Sequence, residues 1–311
     1  MEKTLECSSA GDKRFSAFYA KVEAFHRVDS IENFYQLSKL YLNKDGVIES
    51  PKTWKDAKGK KIIGFKVNER YFEPSYISAF YDLLWVKYLT KNPELLEYAK
   101  EFDEFTDKFK GKSVNCQADT IATIVKQGKN AILKRKDVIE FSTLLNAPHM
   151  VNYLDGDLLE SESNIICQQV NCKGVMGRGL AKSIAEKYPD VLSPYKKYCR
   201  MNDNILGNCL IISLTGETYD CADYVNRDKV FIANLFGQEY FGTDKKYTDY
   251  QALQKALIKL RDFAVNNLLT VALPYEIGCG LAGGDWSTVK SIIEKVFRDY
   301  PVTVYRKKKQ I

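Results

Sequence analysis

Apolar residues in the first half of the chain follow a helical spacing. Aliphatic and aromatic side chains recur three or four positions apart in RFSAFYAKVEAF, SIENFYQLSKLYL, PSYISAFYDLLWVKYL and PELLEYAKEFDEFTDKF, a pattern typical of amphipathic helices. Ser30 and Asn33 offer capping chemistry to the second segment, and another helix is predicted from Ala118 to Gln127. Residues 1–148 are therefore predicted to form a mainly α-helical domain, in which we identify no chemical motif.

The second half alternates short apolar runs with helical segments. NIICQQVN precedes GLAKSIAEKY, KVFIANLFG precedes DYQALQKALIKLRDFAV, and LLTVALPYEIG precedes WSTVKSIIEKVF. Such strand–helix alternation favours an α/β sheet covered by helices. The change of pattern falls between Lys134 and Met150, so we predict a second domain over residues 149–311.

Composition limits the classes of protein that remain. The 311 residues suffice for two ordinary domains, and 45% hydrophobic and 28% charged residues are typical of a globular chain. No apolar run approaches the roughly 20 residues that cross a bilayer, and the first residues lack an apolar secretion signal. We therefore expect a cytoplasmic protein with no membrane partner.

Charge and cysteine content add little to the functional assignment. The net charge of +6 is spread over both halves and does not identify a nucleic-acid partner. The eight cysteines form no C-x-x-C pair, and the chain has only two histidines. We therefore expect reduced structural thiols, no metal site and no cofactor.

Two glycine-rich segments carry the strongest chemical information. QVNCKGVMGRGLA, from Gln169 to Ala181, follows a buried type of strand and opens a helix. EIGCGLAGGDW, from Glu276 to Trp286, also lies between a strand and a helix. Glycines at such junctions let backbone N–H groups approach a phosphate, and the helix N-terminus favours negative charge. Loops on neighbouring strands open at the same sheet edge, where the pair can hold a diphosphate from two sides.

The first glycine segment differs from the dinucleotide-binding turn. Its glycines follow the order G-x-x-G-x-G rather than G-x-G-x-x-G, and no acidic residue ends the next strand. The sequence instead resembles the macrodomain family in four segments that occur in the same order: NYLDGDLLES, VNCKGVMGRGLAKSIAEKYP, NLFGQ and LPYEIGCGLAGGDW. The resemblance implies a three-layer α/β/α fold with a mixed sheet and a cleft for an ADP-ribose derivative.

The resemblance also assigns binding roles to individual residues. It implies that Asp157 accepts a hydrogen bond from the adenine amine and that Asn171 contacts the distal ribose; the alternative role of Asp157 is to stabilise a turn beside Gly156. Tyr305 is expected to stack on adenine or to lie in the core. The residues implied along the diphosphate are Gly177, Arg178 and Gly179 on one side and Gly278, Gly280, Leu281, Ala282 and Gly283 on the other.

Candidates for catalysis are fewer. Hydrolysis at the distal ribose needs an oriented or activated water, for which Asp285 is the best candidate; its alternative role is to cap the following helix. Related hydrolases bring a lysine to the distal ribose near Lys245 and Lys246, which could instead lie in a surface loop. Cys279 has no neighbouring histidine in sequence and is predicted to be a structural thiol.

Three functions follow from the resemblance. The motifs are most similar to those of ADP-ribose 1''-phosphate phosphatases and next to those of ADP-ribosyl hydrolases. Ala282 stands where hydrolases of protein esters have an aspartate, so the leading hypothesis is hydrolysis of ADP-ribose 1''-phosphate to ADP-ribose and phosphate. The alternatives are removal of ADP-ribose from DNA or protein, and a non-catalytic reader that only binds ADP-ribose.

Overall fold

The chain forms two compact units, Met1–Ala147 and Pro148–Ile311. The computed structural model describes residues 2–44, 47–56, 59–107 and 116–307 of them. Each unit has its own buried core and is described by itself.

The first unit contains strands as well as helices, so the prediction of a mainly helical domain is wrong. Its strands are β1 (Thr4–Glu6), β2 (Lys21–Ala24), β3 (Arg27–Ser30), β4 (Lys39–Leu42), β5 (Ile48–Glu49), β6 (Gly64–Val67), β7 (Arg70–Phe72) and β8 (Glu104–Thr106). Its helices are α1 (Ile31–Leu37), α2 (Ile77–Lys91), α3 (Pro93–Ala99), α4 (Gln117–Gln127), α5 (Asn130–Leu133) and α6 (Lys136–Asn146), with 3₁₀ helices at Lys13–Phe15 and Pro74–Tyr76.

A tight hairpin replaces the first predicted helix. β2 and β3 pair in antiparallel register, and the two residues between them, Phe25 and His26, have φ angles of 50° and 61°. Positive φ at both central residues defines the turn that best matches the twist of two paired strands. Side chains of β2 alternate between exposed and buried, a period of two that the helical spacing of the larger apolar residues obscured.

The second predicted helix is correct only over its first half. Ser30 Oγ accepts from the backbone N–H of Asn33 at 3.2 Å, which confirms the predicted cap. α1 ends at Leu37, and β4 then pairs with β5 and β6. Pairing with a distant strand decided the conformation of this segment, because tyrosine and leucine suit strands and helices alike.

α2 is the central helix of the first unit. Ten of its fifteen residues are buried, and α1, α4, α5 and α6 pack against it. Its buried carboxylate, Asp82, accepts from Thr120 and Arg135, both at 2.6 Å. α2 and α4 confirm two predicted helices, whereas α3 stops at Ala99 because β8 pairs with β1. The last two residues of that predicted helix, 108 and 109, lie outside the described residues.

The second unit has the predicted mixed sheet. Its strands are β9 (Val151–Asp155), β10 (Ile165–Asn171), β11 (Cys209–Ser213), β12 (Thr218–Tyr219), β13 (Phe231–Gln238), β14 (Val271–Pro274) and β15 (Val302–Arg306). Its helices are α7 (Gly179–Lys187), α8 (Leu192–Met201), α9 (Tyr250–Asn267) and α10 (Trp286–Val296), with 3₁₀ helices at Leu158–Glu160 and Pro189–Val191. The strand order is β12-β11-β13-β10-β14-β15-β9.

Helices cover both faces of this sheet, which gives the predicted three layers. On one face, Ile166 and Val170 of β10 join a core with Ile184 of α7 and Tyr195 of α8. On the other face, α9 packs on β13. All residues of β11 and β13 are buried, as expected for strands that are covered on both sides.

The sheet topology brings several loops to one edge. β13, β10, β14, β15 and β9 are mutually parallel, whereas β11 runs antiparallel to both of its neighbours, β13 and β12. The loops that follow the five parallel strands therefore open at the same edge. We name three of them: the first loop (residues 172–178) after β10, the second loop (275–285) after β14 and the third loop (239–249) after β13.

The described residues contain neither a membrane-spanning helix nor a cluster of metal ligands. No helix in those ranges has the length and apolarity needed to cross a bilayer. Within the same ranges, no three His, Cys, Asp or Glu side chains lie close enough together to hold a metal ion.

Candidate functional site

A cleft of about 650 Å³ lies at the carboxyl edge of the second sheet. This volume is typical of a site for a small molecule or cofactor. The cleft lies between the first and second loops and extends to the start of the third. The predicted binding residues that line it are Asn171, Gly177, Arg178, Gly179, Gly278, Gly280, Leu281 and Ala282. Gly283 lies next to them but outside the lining. The structure thus brings these residues together, and their contact with a ligand stays a prediction.

Asn171 organises the first loop. Its Oδ1 accepts from the backbone N–H of Lys173 at 2.9 Å, and its Nδ2 donates to the carbonyl of Val175 at 2.7 Å. The hydroxyl of Tyr195 donates to the backbone carbonyl of Asn171 at 2.6 Å. Because Nδ2 carries a second hydrogen, the same side chain can fix the loop and donate to a ligand.

The N-terminus of α7 opens into the cleft at Gly179, whose φ is 58°. The first N–H groups of a helix have no partners within it, and the helix dipole favours an anion at this end. Leu281 reaches across from the second loop, with its Cδ1 only 3.7 Å from the position that a Cβ on Gly179 would occupy. The two loops therefore approach each other closely where a diphosphate would lie.

Gln169 fixes the second loop and was missed by the sequence analysis. Its Nε2 donates to Gln238 Oε1 at 2.9 Å and lies 3.0 Å from Thr248 Oγ1. Thr248 in turn donates to the carbonyl of Gly278 at 2.6 Å. A Cβ on Gly278 would come within 2.3 Å of Gln169 Oε1, so this approach requires glycine.

Glu276 is a second residue that the sequence did not single out. Among the described residues that line the cleft, Arg178 and Glu276 carry the charges. Glu276 has a φ of 59°, a left-handed conformation that costs a residue other than glycine about 1 kcal/mol or more. Strained backbone conformations of this kind cluster at ligand-binding and active sites. Because Glu276 lines the cleft, its carboxylate is a candidate hydrogen-bond acceptor for ribose hydroxyls.

Asp157 does not line the cleft in this structure. Its Oδ1 accepts from the backbone N–H of Leu159 at 2.9 Å and so caps the 3₁₀ helix Leu158–Glu160. This is the turn-stabilising role that the sequence left open. Asp157 follows the edge strand β9, and the ring of Tyr305 lies 3.6 Å from a Cβ position on its neighbour Gly156. The adenine contacts of Asp157 and Tyr305 stay predictions.

Asp285 caps α10 and lies outside the cleft lining. Its Oδ2 accepts from Ser287 Oγ at 2.6 Å, from Thr288 Oγ1 at 2.7 Å and from the backbone N–H of Thr288 at 2.8 Å. The hydrogen bonds from Ser287 and Thr288 lower the pKa of Asp285 to about 2. A carboxylate with so low a pKa is a weak base at neutral pH.

Lys245 and Lys246 also lie outside the cleft lining. Lys245 Nζ lies 5.4 Å from the ring centroid of Tyr247, and Lys246 Nζ lies 4.4 Å from that of Tyr250. Their loop packs against the second loop, since the N–H of Tyr247 donates to the carbonyl of Ala282 at 2.8 Å. A catalytic role for either lysine stays a prediction that would require its side chain to turn.

Cys279, in the second loop, has the character of a structural thiol. Burial raises its pKa to about 11, so it is a thiol at neutral pH and a poor nucleophile. Its Sγ lies 3.4 Å from the carbonyl of Ile277.

Exposed apolar side chains surround the mouth of the cleft. Val175, Phe241 and Leu281 all line it and are 38%, 52% and 50% exposed; we call these three residues the apolar rim. Tyr240, 57% exposed, precedes Phe241. Scattered exposed apolar residues are common, but a group around one cleft marks a contact surface.

A buried ionisable cluster in the first unit was also missed. Lys39 is only 8% exposed, and its Nζ donates to Gln36 Oε1 at 2.8 Å and lies 3.8 Å from the ring centroid of Tyr35. Burial lowers the pKa of Lys39 to about 8, and burial raises the pKa of Glu32, which accepts from Gln36 at 2.9 Å. An amine whose pKa is lowered and a carboxyl group whose pKa is raised are suited to proton transfer near neutral pH.

Two family models match this chain. Residues 1–153 match the model described as DarT1-associated NADAR antitoxin, and residues 167–293 match that of the macro domain. A DNA ADP-ribosyl glycohydrolase of Mycobacterium tuberculosis is 28% identical over 153 residues, which are 49% of this chain and 40% of that protein. The chain therefore spans about two fifths of the length of this relative.

Two further similarities concern the second unit. An ADP-ribose 1''-phosphate phosphatase of Lodderomyces elongisporus is 29% identical over 157 residues, which are 47% of this chain and 92% of that protein. The solved macrodomain of Mycobacterium tuberculosis DarG has 25% identity and a TM-score of 0.42, and covers 50% of this chain and 97% of that one. The first half of the chain, predicted to be a mainly helical domain of unknown function, thus matches the model of a NADAR antitoxin, and the second half matches that of the macro domain.

Proposed function

We propose that the macrodomain binds the ADP-ribose part of an ADP-ribosylated DNA base and hydrolyses the bond between the distal ribose and the base. One observation carries the binding part. The first and second loops face each other across a single cleft at the ends of the adjacent parallel strands β10 and β14. Backbone N–H groups and a helix N-terminus on one side, with a glycine-rich turn on the other, suit a diphosphate.

The strand order gives the direction of the ligand. At the β9 edge of the sheet, β9 ends just before Asp157, and the neighbouring strand β15 contains Tyr305. The next strands toward the other edge are β14, β10 and β13, which are followed by the second, first and third loops in that order. If adenine lies at the Asp157 end, as the family resemblance implies, the distal ribose lies beside Asn171. The group to be released then faces the third loop and the apolar rim.

The surroundings of that group favour an aromatic base over a phosphate. The nearby cation, Lys173, lies 2.5 Å from the carboxylate of Glu239 and is thereby neutralised. A doubly charged phosphate would therefore gain little from Lys173. Phe241 and Tyr240 instead offer exposed aromatic faces, on which a base can stack with a gain of about 1–3 kcal/mol.

The relatives support both this reaction and one rival. The Mycobacterium tuberculosis relative is a DNA ADP-ribosyl glycohydrolase, and the model matching the first half describes an antitoxin. The yeast relative, a phosphatase matched over 92% of its length, supports hydrolysis of ADP-ribose 1''-phosphate as the second candidate. Either reaction removes the group that is attached to C1'' of the distal ribose.

The residues that line the cleft suggest how the proposed reaction would proceed. Water adds its hydroxyl to C1'', the bond from C1'' to the base nitrogen breaks, and the base leaves with the remaining proton. Amide side chains of Asn171 and Gln238 line this part of the cleft. They can orient water and the ribose hydroxyls, which is catalysis by positioning and preorganised dipoles.

Turnover of two substrates by the full chain tests the proposal. An oligonucleotide carrying ADP-ribose on one base is followed by mass spectrometry, and ADP-ribose 1''-phosphate is followed by phosphorus NMR. Release of ADP-ribose from the oligonucleotide at a kcat/KM at least tenfold above that for the phosphate supports the glycohydrolase. The reverse ratio supports the phosphatase. Binding of ADP-ribose without turnover of either substrate would indicate a non-catalytic reader.

A matched pair of variants tests the apolar rim. Phe241→Ala is expected to lower kcat/KM for the oligonucleotide about tenfold, because stacking on a base is worth about 1–3 kcal/mol, and to leave the affinity for free ADP-ribose unchanged within threefold. Tyr224→Ala, which removes a similarly exposed ring outside the cleft lining, is the control. Equal effects of both variants would contradict the stacking role.

A further inference from the structure

α8 carries three exposed cations. Lys196, Lys197 and Arg200 project from a ten-residue helix that contains no acidic residue. Among the described residues, none forms an ion pair with any of the three. Exposed lysines on the neighbouring helix differ in this respect, since Lys182 of α7 lies 3.6 Å from Glu186. The α8 cations thus form an uncompensated positive surface.

This surface adjoins the first loop of the cleft. Tyr195 of α8 donates to the backbone carbonyl of Asn171 at 2.6 Å. A Cβ on Gly174 would lie 3.6 Å from the Cα of Lys196 and 3.6 Å from Cys199 Cβ. The first loop therefore rests on the helix that carries the cations.

The same surface continues to the apolar rim. Lys173, next to Gly174 in the first loop, has its Nζ 4.3 Å from the ring centroid of Tyr240. Tyr240 precedes Phe241, which lines the cleft. The first loop therefore connects the α8 cations with the aromatic side chains beside the place where the released group would lie, while Lys173 itself is paired with Glu239.

We propose that the α8 cations and the ring of Tyr240 form a track for single-stranded DNA that leads the modified base into the cleft. This inference rests on the proposed function, which requires a base at the third loop. Cations beside a row of aromatic rings are the usual means of binding single strands without sequence preference. A base whose attached ribose enters a cleft must also leave the duplex stack, which favours single-stranded DNA.

Binding of unmodified DNA tests the track. The probe is a fluorescein-labelled 12-nucleotide single strand, titrated with the full chain and followed by fluorescence anisotropy at several salt concentrations. The triple variant Lys196→Glu, Lys197→Glu, Arg200→Glu is expected to raise Kd at least tenfold at 50 mM salt. Loss of three phosphate contacts should also make the slope of log K against log salt shallower by about 2.

An equal change of charge elsewhere is the control. Lys290→Glu, Lys295→Glu, Arg298→Glu alters three exposed cations on or just after α10, and this variant should bind the probe within twofold of the wild type. Failure of the wild type to bind, or equal weakening by both triple variants, would overturn the track.

Turnover separates the track from the reaction itself. The α8 triple variant should hydrolyse an ADP-ribosylated deoxynucleoside as fast as the wild type but lose at least tenfold in kcat/KM on the ADP-ribosylated oligonucleotide. If the wild type hydrolyses neither substrate, the proposed reaction fails, whereas the anisotropy titration still decides whether the track exists.

Discussion

The side-chain oxygen of Gln169 occupies the space that any side chain on Gly278 would need. A Cβ there would lie 2.3 Å from Gln169 Oε1 and 3.1 Å from Thr248 Oγ1, and the φ of Gly278 is 74°. The two residues are 109 positions apart in the chain, yet together they set the distance between β10 and the second loop. The width of the cleft therefore depends on this contact.

Gly278→Ala should destabilise the protein by about 2–4 kcal/mol, because a left-handed φ and an overpacked contact each cost about 1–3 kcal/mol. Thermal unfolding measures this loss. Gly177→Ala is the control, since its Cβ would meet only Val175 Cγ1 at 3.9 Å, and it should change stability by less than about 1 kcal/mol.

A double variant tests the contact itself. Gln169→Ala removes the obstructing amide, so Gly278→Ala should cost at least 1 kcal/mol less in that background than in the wild type. Equal costs in both backgrounds would show that backbone strain alone, rather than the approach of Gln169, requires glycine at this position.

Asp285 can be tested as a cap or as a base with two substitutions. Asparagine caps a helix about as well as aspartate, whereas alanine loses about 1 kcal/mol. Because the carboxylate accepts three hydrogen bonds outside the cleft lining, we expect Asp285→Asn to retain turnover within threefold and Asp285→Ala to lose stability. A fall of about 100-fold or more in kcat for Asp285→Asn would instead support Asp285 as the general base.

The pH dependence of the cap follows from its pKa of about 2. This value lies below the ordinary pKa of about 3.9, so the ionised cap stabilises the folded state fully above pH 4. That contribution is lost as the pH falls through 2. The stability of Asp285→Asn relative to the wild type should therefore rise between pH 4 and pH 2, as followed by urea unfolding.

The sequence predicted the cleft better than it predicted the first unit. Glycine segments between strands and helices are local patterns, and alternation of strands with helices brings them to one sheet edge, so Asn171 and Gly280 could be assigned to one cleft. The role of Gln169 could not be found, because it depends on a contact with a distant loop. Lys39 was missed because its burial results from the folding of α1 and β4 against the rest of the first unit.

Substitution of Glu276 is expected to affect stability and ligand binding in opposite directions. Glu276→Gly relieves a left-handed backbone at a residue other than glycine, so it should stabilise the protein or leave it unchanged, by 0 to about 1 kcal/mol. If the carboxylate accepts from a ribose hydroxyl, the affinity for ADP-ribose measured by calorimetry should fall about tenfold. Glu276→Asn, which tolerates this φ and keeps an acceptor, should lose less. Unchanged affinity in both variants would contradict a binding role.

Lys39 offers a test of the ionisable cluster in the first unit. Its pKa of about 8 lies below the ordinary value of about 10.4, because the buried ammonium lacks solvent. Below pH 8 the side chain of Lys39 is therefore protonated in the folded state, and burial of this charge lowers the free energy of unfolding. Lys39→Met should stabilise the first unit at pH 7 on the order of 1–3 kcal/mol, since each pKa unit corresponds to about 1.4 kcal/mol.

The advantage of Lys39→Met should shrink as the pH rises from 8 to 10. In that window the unfolded wild type still binds the proton that the folded form has released, so wild-type stability rises. Urea unfolding can be followed by fluorescence in a Trp286→Phe background, where the remaining tryptophans, Trp54 and Trp85, both lie in the first unit. The exposed Lys87→Met is the control and should show neither the gain nor its pH dependence. A gain for Lys39→Met that is equal at pH 7 and pH 10 would mean that methionine packs better than lysine and that no charge was being buried.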